Sequence, residues 1–363
     1  MTTGIAHAQE KVDLAALRDS TVVGPDVASG VRLAISALHA QAQEITRLLG
    51  ETVATLSNSQ ALFEPEMQSA VLAQAARNTI PRWHFAMLND EARNAALSAA
   101  LEACVPPGAV VLDIGTGTGL LAMGAVKAGA SHVYTCEANP LLAEMARQNI
   151  AGHGMADRVT VLNSWSTGLE VGRELPHRVD VLVSEIVDCG LIGEGLLPSV
   201  RHARERLLAP DGVMMPFAAR LRGQLVNSQA MANLNHVQYA SGFDVSLLNK
   251  AATQGHFPVR LETWPHRTLS DPVELAAFDL HAGELGPGTR TLTVSTTDSG
   301  EAHGLVAWFE LELSDGIVLS NAPANVGSHW MQAMIPLEKP VPVVAGETCH
   351  IDFGWSDFRL SAS

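Results

Sequence analysis

Lysine is close to absent from this chain of 363 residues: Lys11, Lys127, Lys250 and Lys339 are the only four. That bias suits a GC-rich gene and carries no chemical meaning. Positive charge is scarce altogether, with 23 Lys and Arg against 38 Asp and Glu and a formal net charge of −15. Nucleic-acid partners draw on clustered basic side chains, so none is expected here. A cationic ligand suits the balance better. Cysteine is sparse too. Cys104, Cys136, Cys189 and Cys349 stand apart, without metal-ligand spacing. That excludes a disulfide scaffold and a zinc ribbon, and it fits free thiols in a reducing, cytoplasmic setting with no metal. The N-terminus lacks a basic stretch leading into an apolar one, so no signal peptide is expected. No apolar run approaches the ~20 residues that cross a bilayer, which argues against a membrane partner.

What is present centres on Val110–Leu121, VVLDIGTGTGLL. Three branched apolar residues lead to Asp113, and Gly115, Gly117 and Gly119 overlap the start of a helix-forming run. The pattern predicts a buried parallel strand and a tight strand-to-helix turn. Glycine is required where backbone must approach a ligand, because a Cβ would collide. The spacing is D-x-G-x-G-x-G, unlike the G-x-G-x-x-G of dinucleotide folds. The next strand, SHVYTCE, ends in Glu137, which is placed to accept from a ribose diol at the carboxyl end of the sheet. This turn resembles the S-adenosylmethionine (SAM) site of class I methyltransferases. Another nucleotide site, or an ordinary tight turn, is the alternative reading.

The length suggests two or three domains. Residues 1–30 read as a loosely held tail. From Val31 to Leu56 apolar residues recur at helical spacing, and Glu64-Pro65 opens a second helical run through Ala76. These helices would cap a cleft, form a subunit contact or simply pack on the core. The expected division is therefore an N-terminal helical extension over 1–79, a Rossmann-like domain over 80–216 and a β-barrel domain over 217–363. Ile80–Leu101 reads as one helix entered through a Pro turn. Strands are expected at RVTVLNSW (158–165), RVDVLVSE (178–185) and VMMP (213–216), the last preceded by a turn at Ala209–Gly212. Strands alternating with helices make a doubly wound α/β sheet. Beyond Pro216, partial period-2 alternation in five segments indicates a barrel or sandwich. Residues 229–269 fit neither pattern.

Glu185 closes the fourth strand, and Glu194 follows nine residues later across a glycine-containing loop. Two carboxylates at one cavity mouth call for a cation, since like charges brought together are costly. A guanidinium suits them, because its planar fork of N–H donors matches carboxylates in bidentate fashion.

Together these residues resemble the protein arginine methyltransferase family from about Pro81 to the C-terminus. The likeness is carried by H-x-x-M-L-x-D-E-x-R (His84–Arg93), L-D-I-G-T-G-T-G (Leu112–Gly119), Glu137, S-E-x8-E (Ser184–Glu194), L-A-P-D-G-x-x-x-P (Leu208–Pro216) and H-W-x-Q (His329–Gln332). The resemblance implies SAM as cofactor. Arg93 would hold its carboxylate, Asp113, Gly115 and Gly117 its methionine and sugar parts, and Glu137 its ribose. His84, Met87 and Ser166 would also contact it. Glu185 and Glu194 would clamp the substrate guanidinium, with Met87 and Trp330 beside it, and Asp90 would pair with His329 near the departing proton. A homodimer is implied, with residues 229–269 in the place of a dimerisation arm.

There are departures. Arg77 and Asn78 stand where asymmetric dimethylating members carry tyrosines, Ser166-Thr167 replaces a common acidic pair, and Ser328 stands for Thr. The aromatic-free loop IVDCGLIG, with Asp188, is similar to the monomethylating branch. The implied reaction is Nω-methylation of free L-arginine, as in natural product biosynthesis, with Arg82 or the N-terminal helices meeting its α-groups. An arginine-containing peptide or protein is the alternative substrate. A nucleic-acid methyltransferase and a non-catalytic SAM-binding module are readings of other classes; the charge speaks against the first, and intact Glu185, Glu194 and His329 against the second.

Overall fold

A computed structural model of the chain describes residues 35–48, 73, 76, 77 and 79–363. The expected tail over 1–30 and most of the run from Glu64 to Ala76 lie outside the described residues. The chain divides into two units, 1–74 and 75–363. In the first, a helix covers 35–48, within the stretch where helical spacing was read.

The second unit opens with a five-stranded parallel sheet. Its strands are Val110–Ile114 (β1), His132–Cys136 (β2), Val159–Leu162 (β3), Val179–Ser184 (β4) and Leu208–Met215 (β5), in the order β3-β2-β1-β4-β5. The sequence steps outward from β1 to β3 and then returns to the other side of β1. That reversal opens a crevice beyond the carboxyl ends of β1 and β4. β1 and β4 read as near-continuous apolar runs because helices cover both faces. The helix Leu120–Ala128 begins at Gly119 and stops at Gly129, both with positive φ. Pro140–Gly152 starts with Pro in its first turn, and Asn139 Oδ1 accepts from the Leu141 amide at 2.9 Å.

Two expectations are corrected here. The single helix expected over Ile80–Leu101 is broken into Trp83–Leu88 and Glu91–Cys104. Asp90 leaves the helical region (φ −79°, ψ 89°) and caps the second helix by accepting from the Arg93 amide at 3.0 Å. The break is sealed by Asn94, which donates to the Leu88 carbonyl at 2.8 Å. The turn expected before the fifth strand lies inside β5. Leu208 pairs with Val179 and Val213 with Val181, so the intervening residues bulge out of the ladder.

The parallel sheet ends at Met215, and the antiparallel part begins with Ala218–Asn227 (β6). The strand Gly300–Ser314 pairs with β6 along one edge and with Gln332–Val343 and Ile317–Ser320 along the other. A second antiparallel sheet joins Gly288–Ser295, Thr348–Trp355 and Leu360–Ala362. The whole is curled and barrel-like. Alternation is only partial in sequence because the central strand 300–314 is buried along most of its length. Residues 229–269 form a short helix, a two-residue hairpin pair, 3-10 turns and two short strands, Phe257–Val259 and Arg267–Thr268, which pair with Gln332–Val343 and with β6. No helix among the described residues is long and apolar enough to cross a membrane.

Candidate active site

At the carboxyl ends of β1, β2 and β4 lies a cavity of about 780 Å³. The glycine turn forms its floor. Gly115, Gly117 and Gly119 have φ of +89°, +53° and +90°, all in the left-handed region that a side chain disfavours. A Cβ on Gly115 would run into Ile186, whereas one on Gly117 would meet nothing within 4 Å. Glu137 leaves the end of β2 and fastens the turn. Its Oε2 accepts from the Gly117 amide at 2.9 Å and its Oε1 from the Asn139 amide at 2.8 Å. His84, Met87, Glu137 and Ser166 all line the cavity. SAM fits this donor set, with open space over Gly117, an acid positioned for a sugar diol and volume typical of a cofactor site.

Asp113 is placed otherwise. It is fully buried beneath the turn, outside the cavity wall, and accepts from Thr135 Oγ1 at 2.7 Å. Burial, with Glu137 and Glu185 nearby, pushes its carboxyl up to about 7 despite the Thr135 bond. Thr135 Oγ1 lies 2.5 Å from Thr116 Oγ1, which links Asp113 to the turn from below.

Both loop acids line the cavity. The Glu185 side chain is 3% exposed and pairs with Arg93, whose Nε donates at 3.0 Å and whose Nη2 also contacts Oε2. Burial drives the Glu185 carboxyl upward and Arg93 opposes it. The Arg93 guanidinium is thus committed to Glu185 and to Asn94 Oδ1, with its carbon 5.9 Å from the Trp330 ring centroid, and it does not line the cavity. Glu194 stands open to the cavity, yet protein crowds it. Loss of water first, then the charges of Glu185, Asp188 and Glu137, push its carboxyl up to about 7. A cation entering here would relieve that repulsion.

Asp90 and His329 come together across the two halves of the unit. Asp90 Oδ2 accepts from the His329 amide at 3.0 Å and from Nδ1 at 2.9 Å. For Asp90, burial is outweighed by bonds from the Arg93 amide and from His329, and its carboxyl falls below the usual range. Burial lowers His329, the Asp90 bond opposing it. An ionised Asp90 can only accept, so Nδ1 carries the ring proton and Nε2 keeps its lone pair. His329 lines the cavity. So does Trp330, whose Nε1 donates to the Val187 carbonyl at 3.0 Å and whose ring meets Phe309 edge-on at 5.2 Å. Arg82 is exposed and does not line the cavity.

Three residues that the sequence reading passed over line the cavity or brace its loops. Trp165 lines the cavity while 72% exposed. Asn321, fully buried, donates to the carbonyls of Cys189 and Met331 at 3.0 and 2.7 Å, joining the loop of the two acids to the loop of His329. His256 donates from Nε2 to Asp188 Oδ2 at 2.7 Å and accepts from the Leu360 amide at Nδ1. Only the glycines at 190 and 193 hinted at such crowding. Asp188, Cys189 and His256 bring possible ligand atoms within 4.8 Å of one another. Both His256 nitrogens are engaged in hydrogen bonds, so as built the trio offers an ion no free nitrogen lone pair.

With this geometry in view, comparison with known proteins is informative. Residues 219–357 match the arginine methyltransferase oligomerization subdomain, and residues 95–212 the ribosomal protein L11 methyltransferase family. An arginine N(omega)-methyltransferase of Streptomyces achromogenes subsp. streptozoticus is 56% identical over 349 residues, covering 95% of both chains. Protein arginine N-methyltransferase 7 of Drosophila ananassae is 32% identical over 76% of this chain, which spans only 46% of that protein. Among solved structures, the Trypanosoma brucei PRMT1 enzyme-prozyme heterotetrameric complex with AdoHcy aligns with a TM-score of 0.64 at 24% identity, covering 74% of this chain and 86% of that one. Arabidopsis thaliana protein arginine methyltransferase 10 aligns at 0.59, with the same identity and coverage. The two-acid loop, the glycine turn and this near full-length match lead to one conclusion: the chain belongs to the arginine methyltransferase family, enzymes that take their methyl group from SAM.

Proposed function

We propose that this enzyme methylates the guanidino group of free L-arginine and stops at Nω-methyl-L-arginine. The observation that carries the substrate is the 56% identity, over 95% of both chains, to a relative named for arginine rather than for protein arginine. The cavity chemistry supports the guanidinium. Glu194 is left without a cation among the described residues, and its raised carboxyl releases a proton as the guanidinium arrives. Glu185, steadied by Arg93, takes the other edge.

A free guanidinium, with a pKa above about 12, is a poor nucleophile. Held between two carboxylates, its charge is drawn toward them and a lone pair is favoured on one terminal nitrogen, aimed at the donor methyl. When bound, SAM supplies that methyl, and its sulfonium charge is lost as the carbon–sulfur bond breaks and the carbon–nitrogen bond forms. The nitrogen then gives up one proton. Glu194 or His329 Nε2 accepts it, Asp90 steadying the imidazolium. Glu137 holds the ribose, with His84, Met87 and Ser166 along the cofactor wall and Trp330 beside the substrate. Gly115 and Gly117 line the cofactor end of the cavity, Asp113 supports their turn from beneath, and Arg93 reaches the cofactor carboxylate only from its place on Glu185.

The aromatic-free loop around Asp188 supports a single transfer, because a second requires the methylated group to re-dock with its added carbon. One methyl-sized volume is worth only ~1 kcal/mol in apolar packing, so the experiment decides. The enzyme is incubated with excess SAM and either L-arginine or an arginine-rich peptide, and product masses are followed to long times. Singly methylated arginine is expected. Methylation of the peptide alone, or accumulation of a doubly methylated amino acid, sinks the respective half of the proposal. We further propose that the enzyme works as a homodimer in a reducing cytoplasm; four unpaired cysteines support the compartment.

A further inference from the structure

We infer that His256 is a positioning residue for the guanidinium clamp, holding the Glu194 end of the two-acid loop in place through Asp188. The inference rests on Glu194 being one half of that clamp.

The loop between Glu185 and Glu194 has no regular secondary structure to fix its course. Its organiser is Asp188. One oxygen, Oδ1, accepts from the amides of Gly190 and Gly193 at 3.2 and 2.8 Å, which folds the chain back immediately before Glu194. The other, Oδ2, receives Nε2–H of His256 at 2.7 Å. His256 comes from the antiparallel half, 68 residues away, and its side chain is 5% exposed. Its Nδ1 accepts from the Leu360 amide at 3.2 Å. That second bond fixes the tautomer, so the proton stays on Nε2 and points at Asp188.

The packing leaves no slack. A Cβ on Gly190 would lie 2.5 Å from His256 Cδ2 and Nε2, and one on Gly193 would collide with Asp188 itself. Both positions therefore need glycine for close approach rather than for backbone freedom; neither has positive φ. The same C-terminal segment grips the far side of the loop. Asp357 takes Arg201, on the helix Leu196–Arg206 that follows Glu194, through two bonds of 2.8 and 3.0 Å. Phe358 packs over Gly195. Glu194 is thus anchored from both directions, through Asp188 and the following helix, by His256, Asp357 and Phe358, none of which lines the cavity. Small misplacement of a reacting group is enough to slow a reaction severely, so such an anchor affects arginine turnover well before it affects SAM binding.

The test uses the full chain and three variants. In His256→Gln the side-chain amide reaches Asp188 as Nε2 does but leaves the Leu360 amide unmatched. In His256→Asn the oxygen can meet the Leu360 amide, but Asp188 is left without its partner. His256→Ala removes both bonds. Steady-state kinetics with L-arginine, SAM affinity by calorimetry and thermal melts are read for each. The expected result is that Ala and Asn lower kcat/KM for arginine about tenfold or more, Gln restores it to within about threefold of wild type, and SAM affinity changes less than about twofold throughout. Gln and Asn behaving alike, or loss of SAM affinity in step with turnover, overturns the positioning role. If the Ala variant does not fold, the Gln and Asn pair still decides. A wild-type enzyme inert toward arginine overturns the functional reading itself, a result distinct from an active wild type that tolerates His256→Asn.

Discussion

Glu194 sets the expected pH response. In the ligand-free enzyme its carboxyl titrates at about 7, pushed there by crowding and then by Glu185, Asp188 and Glu137. Below that pH it carries a proton and loses the negative charge that draws and polarises a guanidinium. Arginine kcat/KM should therefore rise with pH up to about 7 and then level. Burial holds the His329 ring below its ordinary value, so its lone pair is freed at lower pH than in an exposed imidazole. Glu194→Gln should move the acid limb to lower pH while depressing the whole profile; an unchanged limb would mean another group titrates. Glu185→Gln and Glu194→Gln should each cost about 10²–10³ in kcat, by analogy with removal of one charge-stabilising partner; SAM affinity should stay nearly intact in Glu194→Gln and fall in Glu185→Gln, where Arg93 loses its buried ion-pair partner. Near-normal turnover in either variant would dismiss the clamp.

The strand-turn-helix at Gly115–Gly119 separates two jobs that glycine does. Both Gly115 and Gly117 have positive φ, so alanine strains either by ~1 kcal/mol. At Gly115 the new methyl also strikes Ile186, and overpacking of this kind adds roughly 1–3 kcal/mol. At Gly117 it projects into open space beside Glu137. Gly115→Ala should thus lower the melting temperature more, and Gly117→Ala should weaken SAM relative to its small loss of stability. Equal loss of affinity per unit of stability in calorimetry would argue against the cavity over Gly117 as the cofactor seat.

This element was legible in sequence because its signals are local: an apolar run, spaced glycines and an acid one strand later. The break at Asn89–Asp90 was not, since a helix former on either side masks a cap whose value comes partly from His329, 239 residues on. His256 and Asn321 were equally invisible, because each acts on chain 68 and 132 residues distant. The strand Val273–Asp279 went unread, although it pairs with β6, because its apolar face is interrupted by Ala and Glu.

At the scale of the molecule, the least explained surface among the described residues is the segment after β6. Leu234, Tyr239, Phe243, Leu247 and Leu248 are 45%, 64%, 73%, 51% and 65% exposed, within fifteen residues of one another or so. Single exposed apolar residues are ordinary, but a run of them in one short segment is the pattern expected of a contact surface. It lies inside the stretch that matches the oligomerization subdomain, 219–357. A twofold dimer would bury this patch in each copy against the other. Charge supports a specific contact over loose association, since a chain at −15 repels its own copies unless apolar area outweighs that repulsion. Light scattering is expected to give twice the chain mass of 38.4 kDa. Phe243→Asp with Leu248→Asp should yield the single-chain mass with little change in melting, because neither side chain supports the folded core. If dimerisation serves the site, the same variant should lose SAM affinity. A wild-type protein that is fully active at the single-chain mass would remove the dimer from the account.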